Sequence, residues 1–229
     1  MAMSVPHLAL LVVDAQPVFL DSLESGSALG DSCRFVAAAA SALGVRVVFT
    51  EQRPDKLGGT RADIRKAAPG APVFAKSTFS AFGEEGVAEW LKENEISHLL
   101  VAGLETPICV YQTVLGAMAE GIEVTLLTDA TGGRRAADHE ATLRALEKKS
   151  DCHLLPSEAV FYSLMGDATH AAFKAVTALV KARSAPTVIE KKTKAKPAAK
   201  PVVRPKAKPA RKSPVKPAGK SRRPATKRA

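Results

Sequence analysis

The sequence predicts an α/β fold in which helices cover both faces of a central parallel sheet. Short apolar runs alternate with longer stretches of helical periodicity, which is the pattern of successive βα units. The first run, Leu8-Ala-Leu-Leu-Val-Val13, is apolar at every position, as a parallel strand buried on both faces requires. Gly44 and Gly121 mark the ends of predicted helices. These observations favour a sheet with right-handed crossovers.

Six strands and six helices are predicted in chain order. The strands are expected near residues 8–13, 45–49, 72–75, 98–102, 122–127 and 152–155. The helices are expected near residues 29–43, 83–93, 109–120, 135–148, 157–163 and 168–183. No Gly-x-Gly-x-x-Gly motif follows the first strand, and Leu57-Gly-Gly-Thr60 is interpreted as a turn, so no cofactor is expected.

Basic residues are concentrated at the C-terminus. Residues 186–229 contain 16 of the 33 Lys and Arg residues but one of the 23 acidic residues. This segment therefore carries a charge of +15 and residues 1–185 carry −5, which together give the +10 of the whole chain. The segment has frequent prolines and no aromatic residue, so it cannot build a packed core. We predict a globular domain over residues 1–185 and a disordered tail over residues 186–229.

The tail is similar in composition to the Lys/Ala/Pro-rich tails of linker-histone-like proteins. Dense positive charge of this kind binds phosphate backbones without reading their sequence. We therefore predict non-specific nucleic-acid binding by residues 186–229. Two alternatives stay open, which are a solubilising tail without a dedicated partner and attachment to an acidic membrane surface, although no amphipathic apolar face supports the latter.

The cysteine content and the N-terminus indicate a cytoplasmic protein. Cys33, Cys109 and Cys152 are an odd number of cysteines far apart, which suits a reducing compartment. The apolar run at residues 8–13 is too short for a membrane span, and no basic region precedes it as in a signal peptide. Association with the nucleoid is expected if the tail binds nucleic acid.

Cys109 is the candidate nucleophile. An apolar strand ends at Gly103, and a helix-forming stretch begins at the cysteine after a short turn. A helix N-terminus lowers the pKa of a thiol and presents free N–H groups that can hold an oxyanion. The alternative is a small buried residue at a strand–helix corner.

Asp14 and Lys76 are its candidate partners. Each directly follows or ends a predicted strand, and the carboxyl ends of parallel strands meet at one edge of a sheet, where ligands bind. Taken alone, Asp14 is better explained as a helix cap and Lys76 as a solvated residue. Together with Cys109 they supply a base, a cation and a nucleophile, and this coincidence favours catalysis.

Four segments resemble the isochorismatase-like superfamily of cysteine hydrolases. They are Val12-Val-Asp14-Ala-Gln16, Lys76-Ser-Thr-Phe79-Ser80, Gly103-Leu-Glu-Thr-Pro-Ile-Cys109-Val110 and Thr128-Asp-Ala130. Within the superfamily, Thr50-Glu-Gln52 and Gly166-Asp-Ala-Thr-His170 make the chain most similar to the isochorismatase-domain-containing protein 2 group. The resemblance covers residues 6–182.

This resemblance implies a fold and a set of catalytic residues. The sheet order would be 3-2-1-4-5-6 in a Rossmann-like arrangement, and Asp14, Lys76 and Cys109 would form the catalytic triad. A cis peptide is expected between Leu104 and Glu105, and the N–H groups of Glu105 and Cys109 would form the oxyanion hole. The resemblance also implies a homo-oligomer.

The segment after the second strand departs from the nicotinamidases of the superfamily. They carry an Asp/His metal site there, whereas this chain has Thr50-Glu-Gln-Arg-Pro-Asp55, and after this segment no histidine occurs until His98. The five histidines are scattered without ligand spacing, so we expect no metal. Isochorismate hydrolysis is also disfavoured, because the members that perform it do not depend on the cysteine.

Two functions remain open at this point. In the first, Asp14 takes the thiol proton, Lys76 stabilises the thiolate, and Cys109 attacks a small amide, ureide or ester to give a thioester. In the second, the domain is an interaction scaffold with a remnant site, and the Glu105 carboxylate beside the thiol favours this interpretation. The substrate pocket is expected to include Gln16, Phe19, Gln52, Phe79 and Tyr111, although Phe79 and Phe82 could equally be core residues.

Overall fold

A six-stranded parallel sheet forms the centre of the computed structural model, which describes residues 5–184. The order of the strands is β3-β2-β1-β4-β5-β6, and every neighbouring pair is parallel. The predicted fold class and strand order are thereby confirmed. The strands are β1 Leu8–Val13, β2 Arg46–Gln52, β3 Val73–Lys76, β4 His98–Leu104, β5 Glu123–Gly132 and β6 Cys152–Leu155.

Helices connect the strands and pack on both faces of the sheet. They are α1 Pro17–Leu20, α2 Gly26–Ala42, α3 Pro54–Leu57, α4 Ala62–Ala67, α5 Glu85–Glu93, α6 Tyr111–Ala119, α7 Ala136–Leu146, α8 Ser157–Met165 and α9 Phe173–Ser184. The sequence patterns missed α1, α3 and α4, because helices of four to six residues are too short to show a periodicity. None of the described helices is long and apolar enough to cross a membrane.

Side chains of alternate residues of the central strands pack into two hydrophobic cores, one on each face of the sheet. Leu8, Leu10 and Val12 of β1 pack with α2, α8 and α9, whereas the intervening residues of β1 pack with α5 and α6 on the other face. This division follows from the two-residue period of side chains along a strand. β1 is fully buried along its length, as its uniformly apolar sequence predicts.

The register of the inner strands brings their carboxyl ends together. Val13 pairs with Thr50 of β2 on one side and with Gly103 of β4 on the other, and Gln52 pairs with Lys76 of β3. Gly103 has a φ of 113°, and a Cβ there would lie 2.0 Å from the Val13 carbonyl oxygen. Only glycine therefore allows β4 to approach β1 closely at this edge. The predicted tail at residues 186–229 lies outside the described residues, and its disorder stays a prediction.

Candidate active site

Asp14, Lys76 and Cys109 meet at the carboxyl edge of the sheet. Asp14 follows β1, Lys76 ends β3, and Cys109 lies in a π-helical turn, Thr106–Val110, that connects β4 to α6. Lys76 Nζ is 2.7 Å from Asp14 Oδ2, and the two side chains are 0% and 1% exposed. Cys109 is 7% exposed and, like Asp14, lines a cavity of about 290 Å³. The residues that the sequence nominated as a triad are thus neighbours in space.

Asp14 is held in place by Thr50 of the neighbouring strand. The Asp14 N–H donates to the Thr50 carbonyl at 3.1 Å, and the Thr50 hydroxyl donates to Asp14 Oδ1 at 2.9 Å. Asp14 Oδ2 forms the ion pair with Lys76. This arrangement fixes one carboxylate oxygen and leaves lone pairs of the other available to accept a proton.

Lys76 is surrounded by acceptors. Its Nζ donates to Gln52 Oε1 at 2.6 Å and to the carbonyl oxygens of Thr78 and Phe79 at 3.1 and 3.2 Å. Gln52 Nε2 in turn donates to the Ser77 carbonyl at 2.9 Å, so both ends of this amide are fixed. A buried ammonium is tolerated only with such partners, and they hold its charge next to Asp14.

Gln16 fixes the backbone that carries Gln52. Gln16 Oε1 accepts from the Gln52 N–H at 2.7 Å, and Gln16 Nε2 donates to the carbonyl oxygens of Gln52 and Gly58. Gln16 is completely buried and does not line the cavity, although the sequence nominated it as a pocket residue. Its side chain joins the end of β1 to the end of β2.

The thiol of Cys109 is strongly protonated in the resting site. The pKa of Cys109 is raised to about 12, first by burial and then by the negative charge of Asp14, which outweighs the opposing charge of Lys76. The thiol pKa is therefore raised and not lowered as the sequence pattern led us to expect, because burial and the adjacent Asp14 carboxylate disfavour the thiolate. For Cys109 to act as a nucleophile, its proton would therefore have to move to a neighbouring base.

The turn before Cys109 leaves the N–H of Glu105 without a backbone acceptor among the described residues. The Glu105 carbonyl accepts hydrogen bonds from the N–H groups of Ile108 and Val110 at 2.9 and 3.2 Å. The cis peptide expected between Leu104 and Glu105 is present. The regular helix α6 begins two residues later than the predicted start at Cys109.

The Glu105 side chain forms an ion pair with Arg134 at the edge of the cavity. Arg134 Nε lies 2.9 Å from Glu105 Oε1 and 3.1 Å from Oε2, and the Arg134 and Glu105 side chains are 57% and 10% exposed. Both residues line the cavity. The Glu105 carboxylate therefore borders the site with its charge balanced by a guanidinium.

The cavity contains some of the predicted pocket residues and several others. Phe19, Gln52 and Phe79 line it, whereas Tyr111 does not, and Phe82 lines a separate groove beside α5. The sequence patterns missed the cavity residues Val18, Ser22, Leu104, Ile108 and Arg134. Arg134 could have been found, because it closely follows β5 and the carboxyl end of β5 reaches the same edge of the sheet.

Metal-ligating side chains are not clustered in the described domain. No three His, Cys, Asp or Glu side chains are grouped as metal ligands within the part of the chain that the structure describes. The groups that the site itself offers for chemistry are the thiol, the carboxylate, the ammonium and the backbone donors of the turn.

Comparison with known proteins agrees with this architecture. The isochorismatase domain family model matches residues 8–155. Isochorismatase family protein 1B of Dictyostelium discoideum is 28% identical over 180 residues, which cover 76% of this chain and 86% of the relative. Isochorismatase domain-containing protein 2 of Bos taurus is 34% identical over 140 residues, which cover 61% of this chain and 66% of the relative.

Among solved structures, that of the MAR1 ribonuclease from Caenorhabditis elegans superposes with a TM-score of 0.74. It is 27% identical to this chain, and the match covers 87% of this chain and 100% of the other. The fold, the order of the strands and the family match agree, so the chain belongs to the isochorismatase family of hydrolases.

Proposed function

We propose that this protein is a cysteine-dependent hydrolase of a small amide, ureide or ester. The observation that carries the proposal is the buried convergence of Asp14, Lys76 and Cys109 beside one cavity of about 290 Å³. A carboxylate, an ammonium and a thiol in contact supply a base, an electrostatic partner and a nucleophile. The cavity volume suits a small molecule.

Acylation uses all three side chains. The Cys109 sulfur attacks the carbonyl carbon while its proton moves to Asp14 Oδ2. The developing oxyanion accepts hydrogen bonds from the N–H groups of Glu105 and Cys109. When the tetrahedral intermediate collapses, the bond to the leaving nitrogen or oxygen breaks, and Asp14 returns its proton to that atom. The product is a thioester on Cys109.

Hydrolysis of the thioester reverses these roles. Asp14 accepts a proton from water as the water oxygen attacks the thioester carbonyl, and the same N–H groups hold the oxyanion. The C–S bond then breaks, and the proton returns to the thiolate. Lys76 keeps its hydrogen bonds to Gln52, Thr78 and Phe79 and stabilises whichever neighbour is negative, the Asp14 carboxylate or the Cys109 thiolate.

The test measures turnover of a panel of small amides, ureides and esters by wild-type protein and by Cys109→Ala. Loss of the attacking atom should abolish turnover, since it removes several kcal/mol of barrier lowering, about 1.4 kcal/mol for each tenfold change in rate. Residual turnover above about one per cent would contradict the nucleophile assignment. The matched control is Cys152→Ala, which removes a buried thiol remote from the cavity.

A second candidate function is cleavage of RNA. The Caenorhabditis elegans protein of known structure, which matches over its whole length at 27% identity, is named a ribonuclease, and this favours the candidate. The charge of +15 on residues 186–229 supplies affinity for phosphates. Incubation of labelled RNA with wild-type and Cys109→Ala protein separates the candidates. Cleavage that depends on Cys109 supports ribonuclease action, and RNA binding without hydrolysis of any substrate supports the interaction scaffold.

We also propose that the protein acts in the cytoplasm as a homo-oligomer. The reducing environment that suits Cys33, Cys109 and Cys152 as free thiols supports the location. Membership of the family supports the assembly. Light scattering of the purified chain measures the oligomeric state directly.

A further inference from the structure

Arg134 forms part of the wall of two cavities. The first is the cavity of about 290 Å³ that contains Cys109. The second has a volume of about 490 Å³ and is more polar in its lining. Its lining consists of Glu24, Ser25, Thr131, Gly132, Gly133, Arg134, Ala136 and His139. A molecule whose reacting carbonyl lies at Cys109 therefore meets Arg134 where the first cavity borders the second.

The guanidinium of Arg134 has hydrogen-bond donors that no described residue uses. Its Nε bonds the Glu105 carboxylate, and its terminal Nη groups donate to none of the residues that the structure describes. The other charged groups lining the first cavity are already paired, Asp14 with Lys76 and Glu105 with Arg134. The unused Nη groups present a forked pair of donors, which matches a carboxylate or a phosphate.

An arginine of this chain already binds two carboxylates in this way. Arg61 holds Asp63 through Nε at 2.7 Å and through Nη2 at 2.9 Å, and the same Nη2 also donates to Asp31 at 2.9 Å. Arg134 contacts Glu105 through Nε alone, so its Nη groups are available to a second anion. A third carboxylate, that of Glu24, lies in the lining of the second cavity, but it is exposed and screened by water.

His139 links the second cavity to the π-helical turn that carries Cys109. Its Nδ1 lies 3.0 Å from the hydroxyl oxygen of Thr106, the first residue of that turn. Burial lowers the pKa of His139, so the ring is neutral at neutral pH. Its other nitrogen can then donate one neutral hydrogen bond, while Arg134 supplies the positive charge.

We propose that Arg134 is a specificity-determining residue that binds a carboxylate or phosphate group of the substrate. The hydrolase would then act on small molecules that carry an anionic group on the side of the reacting carbonyl nearest Arg134. Apolar residues, among them Phe19, Phe79 and Ile108, line much of the rest of the first cavity, and they accommodate the uncharged part. This inference rests on the proposed function, because it uses Cys109 as the reacting atom.

The experiment compares three alkylating reagents that share an iodoacetamide group. They are its N-carbamoylmethyl, N-carboxymethyl and N-phosphonomethyl derivatives, which end in a neutral amide, a carboxylate and a phosphonate. In each case the Cys109 sulfur forms a bond to carbon, iodide leaves, and the thiol proton is released. Mass spectrometry of the labelled peptide gives the rate at Cys109, with Cys109→Ala as the blank. The comparison of the two anionic reagents distinguishes carboxylate from phosphate.

The quantity compared is the ratio of the Cys109 labelling rate with an anionic reagent to the rate with the neutral reagent. We expect this ratio to be higher in wild-type protein than in Arg134→Gln. The rate ratio should fall by about tenfold in Arg134→Gln, because a charge-assisted hydrogen-bonded pair contributes about a tenfold change in binding. Arg134→Lys should retain part of the preference. The matched control is Arg135→Gln, since Arg135 is adjacent, exposed and lines neither cavity.

A ratio of anionic to neutral labelling rates that is unchanged in Arg134→Gln would overturn the proposal. So would an equal fall of this ratio in Arg135→Gln. A second measurement needs no variant: inorganic phosphate or acetate should slow labelling of wild-type Cys109 by the anionic reagents more than by the neutral one. Equal slowing of all three reagents would also overturn it. Because labelling requires no turnover, failure of the hydrolase proposal in the substrate panel is distinguishable from failure of this one.

Discussion

Lys76 Nζ lies 2.7 Å from Asp14 Oδ2 with both side chains shielded from solvent, and the thiol of Cys109 adjoins this ion pair. With a neutral thiol, the three groups have no net charge. Transfer of the thiol proton to Asp14 leaves the total unchanged, whereas release of the proton to water would leave a buried negative charge. The pKa of about 12 describes the second process. It therefore does not prevent proton transfer within the site, which involves no net charging of a buried region.

Asp14→Asn should have opposite effects on the thiol and on catalysis. Removal of the Asp14 charge removes a cause of the raised pKa, so the pKa of Cys109 should fall and Lys76 should pair with the thiolate. Turnover should nevertheless fall by about 10²–10⁴-fold, because the general base is lost. Alkylation by neutral iodoacetamide against pH measures the first effect, and turnover of a substrate from the panel measures the second.

The control for this prediction is Asp21→Asn, which removes an exposed carboxylate that does not line the cavity. It should leave both the alkylation profile and the turnover unchanged. An alkylation profile of Asp14→Asn that stays in place or moves to higher pH would show that Asp14 does not set the thiol pKa.

Gln52→Glu should disturb the site through Lys76. A carboxylate in place of the amide would lie within hydrogen-bond distance of Lys76 Nζ and compete with Asp14 for the ammonium. The added negative charge should raise the pKa of Cys109, so that alkylation shifts to higher pH, and should lower kcat by about tenfold. Gln112→Glu, on the exposed side of α6, makes the same chemical change away from the cavity. It should alter neither the pKa of Cys109 nor kcat. An unshifted alkylation profile in Gln52→Glu would leave Gln52 with a purely structural role.

The fold and the triad could be predicted from the sequence because both depend on local patterns. Six apolar runs defined the strands, Asp14 and Lys76 stand where two of these runs end, and Cys109 follows a third across a short turn. A parallel sheet brings strand ends together whatever the details of packing. The role of Gln16 depends instead on contacts between segments far apart in the chain, and no local pattern encodes those contacts.

The thiol pKa shows a second reason why a local pattern is insufficient. The strand–turn–helix pattern placed Cys109 at the start of a helix, where a lowered pKa is expected. Burial of the site and the proximity of Asp14 arise from tertiary structure, and they reverse the direction of the shift. A local pattern thus located the nucleophile and gave the wrong resting protonation state.

Asp129→Asn should destabilise the domain by about 2 kcal/mol. Asp129 accepts hydrogen bonds from the N–H and hydroxyl of Ser157 at 2.7 and 2.6 Å and from Arg183 Nη1 at 2.7 Å. It therefore holds the start of α8 and the end of α9 against β5. The amide would place donors against Arg183 and lose the charge. Chemical denaturation of the variant and of Asp151→Asn, an exposed control, measures the difference.

The same substitution should remove part of the acid sensitivity of the fold. Burial opposes ionisation of Asp129, but the hydrogen bonds from Ser157 and Arg183 outweigh it and lower the pKa of Asp129 below its ordinary value. The resulting stabilisation is present above the pKa of the unfolded chain, about 3.9, and is lost as the pH falls through the lower folded value. The stability difference between wild type and Asp129→Asn should therefore shrink below about pH 4. A difference that grows in acid would contradict this assignment.

Truncation at Ala185 should abolish nucleic-acid binding and leave hydrolysis intact. The removed segment carries +15, whereas the remaining residues carry −5 and should repel polyanions. Every residue proposed to act in catalysis or to bind the substrate lies before residue 135. If the tail pairs with roughly six to ten phosphates, affinity should fall by about 10³–10⁵ between roughly 50 and 200 mM salt. Mobility-shift titrations of the full-length and truncated proteins at several salt concentrations measure this. Equal binding by the two proteins, or binding that is indifferent to salt, would show that residues 186–229 are not an electrostatic anchor.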